Sequence, residues 1–399
     1  MKKTLLKTMA CLMVCSLSTP ASGTAEEMSR EEILTLANDM AMDQFDAMGW
    51  NFWGRFWIDG VFFAGVVELA EVTDNPSLFD AIFKMGKMTR SNPAWHMRYV
   101  DEEKEPNHAD DFAIGQAFLA AYEKEGDPEI LVDTQRRLDQ ATEVILSEEM
   151  AEKAANAEDL EWNEGLTYYW IDALFMAGPV HARLSEITGD PKYLKALNVE
   201  WKRVSDLLYD EDEDLYYRDA KYMSRNTRNG EKVFWSRGNG WVMGAFALTL
   251  PYIPENDPQR DWYIAQFEEM SAKMASIQRP NGSWSPSLLD YDDFPYSEMS
   301  CTGLTVFAIA WGINNGILDE ATYRPVVEKG WAALLAAIDD EGFLGYVQGV
   351  GAEPGKVYSQ QHTWYGNGAF LLAAVELSKM APINVPEIPP LTSAGEQRK

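Results

Sequence analysis

The chain has 399 residues, 46% of them hydrophobic and 12% aromatic, and a formal net charge of −29. That length and apolar content can bury a large core, as one closed fold or as two domains. The excess of acid argues against nucleic acid or an anionic membrane surface as a partner, and fits a solvated surface on a soluble protein.

The N-terminus carries Lys2, Lys3 and Lys7, then an apolar run from about Met9 to Leu17, then Pro20-Ala21-Ser22-Gly23. This reads as a secretory signal over residues 1–23, too short for a membrane span, and predicts an exported protein, periplasmic or secreted, with no membrane anchoring. Cys11 and Cys15 fall inside it, so the mature chain keeps only Cys301 and forms no intrachain disulfide. No Gly/Ser/Pro linker divides residues 24–399, which are expected to form a single domain with a short C-terminal tail, monomeric or homodimeric.

An internal repeat sets the architecture. Trp57-Ile58-Asp59-Gly60-Val61-Phe62-Phe63-Ala64-Gly65 returns as Trp170-Ile171-Asp172-Ala173-Leu174-Phe175-Met176-Ala177-Gly178. Each copy runs on to an Asx-Pro pair, Asn75-Pro76 or Asp190-Pro191, and weaker copies lead to Asp127-Pro128 and Asp257-Pro258. Proline in the first turn of a helix is pre-organised and loses no hydrogen bond, so each pair predicts the opening of the second helix of a hairpin. Segments 303–312 and 368–377 supply two more first helices, giving six hairpins and twelve helices. The stretch from Gly303 to Gly312 is apolar all round, whereas Pro258 to Met274 has one polar face, which separates an inner ring from an outer one. The expected fold is all-α, an (α/α)6 toroid or six-hairpin barrel, with a helical solenoid as the alternative.

In such a toroid the N-termini of the inner helices line one cup, which gathers Asp59, Asp110 or Asp111, Asp172 and Arg237. Asp59 reads as a first-turn residue stabilised by the helix dipole. Asp172 is flanked by Tyr168, Tyr169, Trp170, Phe175 and Met176, and that apolar bulk would raise its pKa and suit it to act as a general acid. The run Val233-Phe234-Trp235-Ser236-Arg237-Gly238-Asn239-Gly240-Trp241 places a cation and two tryptophans around a Gly-Asn-Gly turn ahead of an apolar helix. Its glycines are expected to take positive φ, Trp235 and Trp241 to face a sugar, and Arg237 to hold a carboxylate.

Four ordered segments carry a family resemblance: Tyr169 to Met176, Phe234 to Trp241, Ala310-Trp311-Gly312-Ile313-Asn314-Asn315-Gly316, and Tyr365-Gly366-Asn367-Gly368-Ala369-Phe370-Leu371-Leu372. From about Met48 to about Leu377 the chain resembles the unsaturated rhamnogalacturonyl hydrolases of glycoside hydrolase family 105, related to the family 88 unsaturated glucuronyl hydrolases. The resemblance implies an (α/α)6 toroid and a substrate oligosaccharide, made by a polysaccharide lyase, whose non-reducing end is a 4,5-unsaturated uronic acid. It implies that Asp172 protonates C4 while water adds at C5, and that the hemiketal then opens to release the remaining sugar. The family's second aspartate falls on Asp110 or Asp111, with Asp110 preferred. Arg237 would contact the sugar or its carboxylate, and Trp235 and Trp170 would be stacking walls.

Relatives usually read Glu-Thr-Ser where this chain has Glu298-Met299-Ser300, and a more acidic stretch where it has Gln360-Gln361-His362-Thr363-Trp364. Asp111, His108 and His362 lie in motif-bearing loops and are candidate substrate contacts. His181 is expected to face away from Asp172, and His96 to lie at the surface. No histidine spacing suggests a metal, and no glycine loop suggests a nucleotide, so no cofactor is expected. The parent polymer stays open among pectic rhamnogalacturonan, ulvan-type rhamnose-uronate glycans and arabinogalactan side chains. Two alternatives remain: a polysaccharide lyase or ordinary glycosidase on the same toroid, and an exported glycan-binding protein.

Overall fold

A computed structural model describes residues 26–52, 54–88, 93–97, 108–156 and 166–395. The expected signal segment lies outside the described residues. A short strand β1 (Glu26–Met28) precedes helix α1 (Arg30–Ala47), which opens on a capping box between Ser29 and Glu32. There follow α2 (Trp57–Val72), α3 (Pro76–Lys87), α4 (Ala109–Phe112), α5 (Gly115–Glu125), α6 (Val132–Ile145) and α7 (Glu148–Ala155). After these come α8 (Asp172–Thr188), α9 (Lys192–Leu208), the two-residue strands β2 (Tyr209–Asp210) and β3 (Leu215–Tyr216), and α10 (Ser236–Thr249). The chain ends with α11 (Arg260–Ser276), α12 (Met299–Asn314), α13 (Glu320–Ala336), α14 (Trp364–Met380) and β4 (Ile383–Val385).

The inner ring is α2, the broken pair α4 and α5, α8, α10, α12 and α14; each packs on the next, and α14 returns to α2. Every residue of α10 is buried, as is α12 from Met299 to Gly312, whereas α11 buries Tyr263, Gln266, Phe267, Met270, Ser271 and Met274 at helical spacing. Inner and outer rings therefore differ as the sequence predicts. The (α/α)6 toroid is the fold shared with the solved structures compared below.

The Asx-Pro pairs do open second helices. Asn75 caps α3 through the Ser77 amide, and the Asp190 and Asp257 carboxylates accept from the amides of Lys192 and Gln259. The order of one hairpin needs correction. The helix that pairs with α14 does not follow it but is α1, from the other end of the chain. Closure is reinforced where β4 pairs antiparallel with β1, bringing Met28 opposite Ile383. The C-terminal tail is also tied down, for the Thr392 amide donates to Ser297 and the Ala394 amide to the Val357 carbonyl.

Ring closure depends on side chains that are missing. A Cβ on Gly368 would sit 2.5 Å from the Val61 carbonyl oxygen, and one on Gly65 would sit 2.6 Å from the Gly368 carbonyl. Only glycine lets α2 and α14 approach so closely.

Candidate functional site

The N-terminal ends of the inner helices meet through an aromatic cluster. The Trp57 ring lies 5.0 Å from Tyr365 and 6.2 Å from Trp241, and Trp241 lies 4.8 Å from Phe175. Asp172 is the first residue of α8, one turn before Phe175. It is 8% exposed, and its Oδ2 is buried 3.3 Å from Nε of Arg218. Burial raises its pKa, while the charges of Arg218 and Arg237 oppose the shift. The environment is the one a general acid needs.

Arg218 approaches from the turn after β3. Its carbonyl accepts the Ile171 amide at 3.1 Å, which pins that turn to the start of α8. Its Nη1 donates to Asp219 Oδ2 at 2.7 Å, and Asp219 in turn caps a short 3-10 turn over Ala220–Tyr222. Asn239 holds the same segment from the other side, accepting from the Tyr216 amide and donating to the Tyr216 carbonyl.

Arg237 has a different place from the one its motif suggests. It is 1% exposed, between the Trp235 ring at 4.5 Å and the Tyr365 ring at 5.0 Å. Its Nη1 donates to the Gln348 carbonyl at 2.6 Å and its Nη2 to the Gly349 carbonyl at 2.9 Å. Glu298 holds that loop, since it caps α12 through the Ser300 and Cys301 amides and also accepts the Gln348 amide at 3.0 Å. Tyr365 donates its hydroxyl to the same Gln348 carbonyl. The guanidinium is thus a brace within the cup wall, with its fork engaged by backbone oxygens.

The Gly-Asn-Gly segment also departs from expectation. Gly238 and Gly240 are helical residues of α10 and neither has positive φ. Their smallness serves packing: a Cβ on Gly238 would meet Ile171 at 3.0 Å, and one on Gly240 would meet the Cys301 backbone at 3.2 Å. Trp235 and Trp241 are buried, Trp235 donating its indole N–H to Gln348 and Trp241 enclosed by Phe175, Trp57 and Tyr365. Trp170 is covered by Tyr169 and His108, at 4.6 and 5.0 Å between ring centres. None of the three tryptophans presents an open face to a sugar in this conformation.

The two adjacent aspartates separate clearly. Asp111 is fully buried with Arg137 Nη2 at 3.5 Å, so it stands behind the cup and not at its surface, contrary to its place among the expected substrate contacts. Asp110 is partly exposed, with His108 Nδ1 at 3.9 Å from its Oδ2, on a helix that packs against α8. His362 is exposed, 3.5 Å from Asp339 and against Phe343, at the entrance to α14. His181 is buried, bonded to the Tyr168 hydroxyl at 3.0 Å, and burial lowers its pKa to about 4. His96 is partly exposed beside Asp133.

Asp59 accepts the Phe56 amide, and burial raises its pKa to about 6. Among the described residues no group of three or more His, Cys, Asp or Glu could hold a metal ion. No helix among them is long and apolar enough to cross a membrane. At the opposite mouth of the barrel, the C-terminal ends of the inner helices enclose a cavity of about 310 Å³ lined by Glu68, Arg183, Glu376 and Lys379, far along the helices from Asp172.

The model of Glycosyl Hydrolase Family 88 matches residues 25–381. The chain belongs to this family. It is a glycoside hydrolase. It is 36% identical over 327 residues to an unsaturated 3S-rhamnoglycuronyl hydrolase from Alteromonas, spanning 81% of this chain and 77% of that one. Among solved structures, a family 88 glycosyl hydrolase from Bacteroides vulgatus superposes with a TM-score of 0.78 at 29% identity, over 88% of this chain and 99% of the other. Another, named a polysaccharide lyase, gives 0.77 at 29% identity, over 88% and 98%.

Arg218 and Glu298 are among the side chains of the site to which the sequence reading gave no role. Arg218 follows directly on the aromatic turn Leu215-Tyr216-Tyr217, and a cation beside aspartate in a loop between two motif-bearing helices was its available sign.

Proposed function

We propose that this family 88 hydrolase removes a terminal 4,5-unsaturated uronic acid from lyase-generated oligosaccharides, with Asp172 as the proton donor. The observation that carries the reading is Asp172 itself, a carboxyl that burial pushes towards its protonated form at the mouth of an inner helix. Its proton goes to C4 of the vinyl ether, water adds at C5 and returns a proton to the carboxylate, and the hemiketal opens to expel the remaining sugar as an alcohol. Atoms balance without a metal or redox partner. Asp110, partly exposed beside His108, is the second carboxylate of the cup.

The Alteromonas relative is named for a 3S-rhamnoglycuronyl unit. That name favours the rhamnose-uronate glycans of the ulvan type over pectic rhamnogalacturonan as the parent polymer. Export to the periplasm or medium follows from Lys2, Lys3, Lys7 and the apolar run after them, and agrees with a substrate of extracellular origin.

The test is ultraviolet absorbance of the conjugated double bond as the enzyme meets lyase digests of ulvan and of pectin. Hydration makes the signal fall, and the responding digest names the polymer. Asp172→Asn should lower the rate by at least about a hundredfold while the protein stays folded. Activity near that of the unaltered enzyme in this variant would remove Asp172 from the role. The lyase reading is favoured by the structural relative of that name and predicts the opposite trace, absorbance rising on intact polymer.

A further inference from the structure

Among the described residues two arginines act on Asp172, and the structure gives them opposite circumstances. Arg237 is walled in by rings and carbonyl oxygens. Arg218 is the one whose guanidinium reaches the acid, with Nε 3.3 Å from Oδ2 and one fifth of the side chain exposed. Its Nη1 edge is fixed on Asp219, and Lys221 lies 3.8 Å from that same carboxylate. The Arg218 carbonyl holds the Ile171 amide, so backbone and side chain of one residue both clasp the start of α8. We propose that Arg218 is the positioning residue of this site, gripping the buried oxygen of Asp172 so that Oδ1 delivers the proton, with Asp219 anchoring the grip from behind.

The proposal rests on the reading of Asp172 as the acid. A cation at this distance stabilises the ionised carboxylate, and the anion of Asp219 acts against it. The acid works protonated, so this triad sets the pH at which activity falls. Other charged or titratable groups around Asp172 are Arg237 on α10, Asp59 on α2, and His108, Asp110 and Asp111 at α4. On α9, Glu200 accepts the Tyr168 amide and pairs with Arg203. Among the described residues, the ion pair recorded for Asp172 Oδ2 is the one with Arg218 Nε at 3.3 Å.

The experiment compares kcat/KM against pH for the unaltered enzyme, Arg218→Gln, Arg218→Lys and Asp219→Asn on one lyase-generated oligosaccharide. Removing the cation should move the descending alkaline limb up by roughly one to three pH units. Arg218→Gln should also cut kcat by about a hundredfold through misplacement of the carboxyl. Arg218→Lys should return the limb towards its original pH. Asp219→Asn should move it the other way, because the repulsion on Asp172 is gone and Arg218 keeps its full charge. A purely structural role for the pair cannot produce shifts of opposite sign.

Limbs that coincide in all variants overturn the proposal. If Arg218→Gln does not fold, the Lys and Asn variants still decide it by the direction of their shifts. Retained activity in Asp172→Asn would overturn the acid reading and this proposal together. An inactive Asp172→Asn with unmoved limbs in the others would overturn this proposal alone.

Discussion

Replacing Arg237 by methionine, which keeps an unbranched side chain but removes the guanidinium, distinguishes a brace from a substrate cation. Two hydrogen bonds to backbone carbonyls disappear, one to Gln348 and one to Gly349. A hydrogen bond involving a charged group contributes about 1.5–3 kcal/mol. The Gln348 oxygen keeps its bond from the Tyr365 hydroxyl, so only the Gly349 oxygen loses its side-chain donor outright. Contacts of the guanidinium with the Trp235 and Tyr365 rings add about 0.5–2 kcal/mol each. Counting one lost hydrogen bond and both ring contacts, the expected loss of stability is about 2.5–7 kcal/mol, read as a lowered urea midpoint. Arg237→Lys, which keeps the charge and reaches one carbonyl, should lose about half as much. Kinetics by double-bond absorbance on the folded fraction should show a change in kcat smaller than that of Asp172→Asn. A midpoint within about 0.5 kcal/mol of the unaltered protein, together with a hundredfold loss of kcat/KM, would refute the brace and return Arg237 to the substrate.

Two buried groups give pH predictions of opposite sign. Asp59 has its pKa raised by burial to about 6, so its contribution to stability is full below the ordinary aspartate range and is lost as pH rises through about 6. Asp59→Asn keeps the acceptor for the Phe56 amide and should be more stable than the unaltered chain at pH 8 by up to about 3 kcal/mol, with the gain gone at pH 4. A gain independent of pH would contradict the assignment. His181 has its pKa lowered to about 4, so its contribution is full above about 6.5 and is lost as pH falls towards 4. His181→Gln should flatten the acid side of the stability curve by about 3 kcal/mol between those limits, measured by denaturant midpoints, and an unchanged slope would count against it.

The architecture was legible because it rests on patterns of short range. The paired Trp-Ile-Asp copies and the Asx-Pro helix openings each act within a few residues, and both survive in α2, α8 and the helices that follow them. Closure of the ring was harder to read, since α1 and α14 are joined by packing across nearly the whole chain length. The glycines at 65 and 368 mark the neighbouring contact of α2 with α14 and not that of α1, and a lone glycine does not name its partner.

The site divides along the same line. The burial and raised pKa of Asp172 were legible because its apolar neighbours lie beside it in sequence. Arg237 was misplaced because its partners, Gln348 and Gly349, are more than a hundred residues away, and a motif shows which groups a residue can bond but not which are brought to it. Arg218 escaped for the converse reason. Its sequence neighbours are ordinary, and its position follows from two locks supplied by other segments, Asn239 on Tyr216 and Ile171 on its own carbonyl. In a toroid each inner helix supplies one wall of the cup, and the loops between hairpins supply the charges that act across it. Asp172 therefore belongs to the repeat, and Arg218, its ion-pair partner, belongs to the irregular chain between repeats.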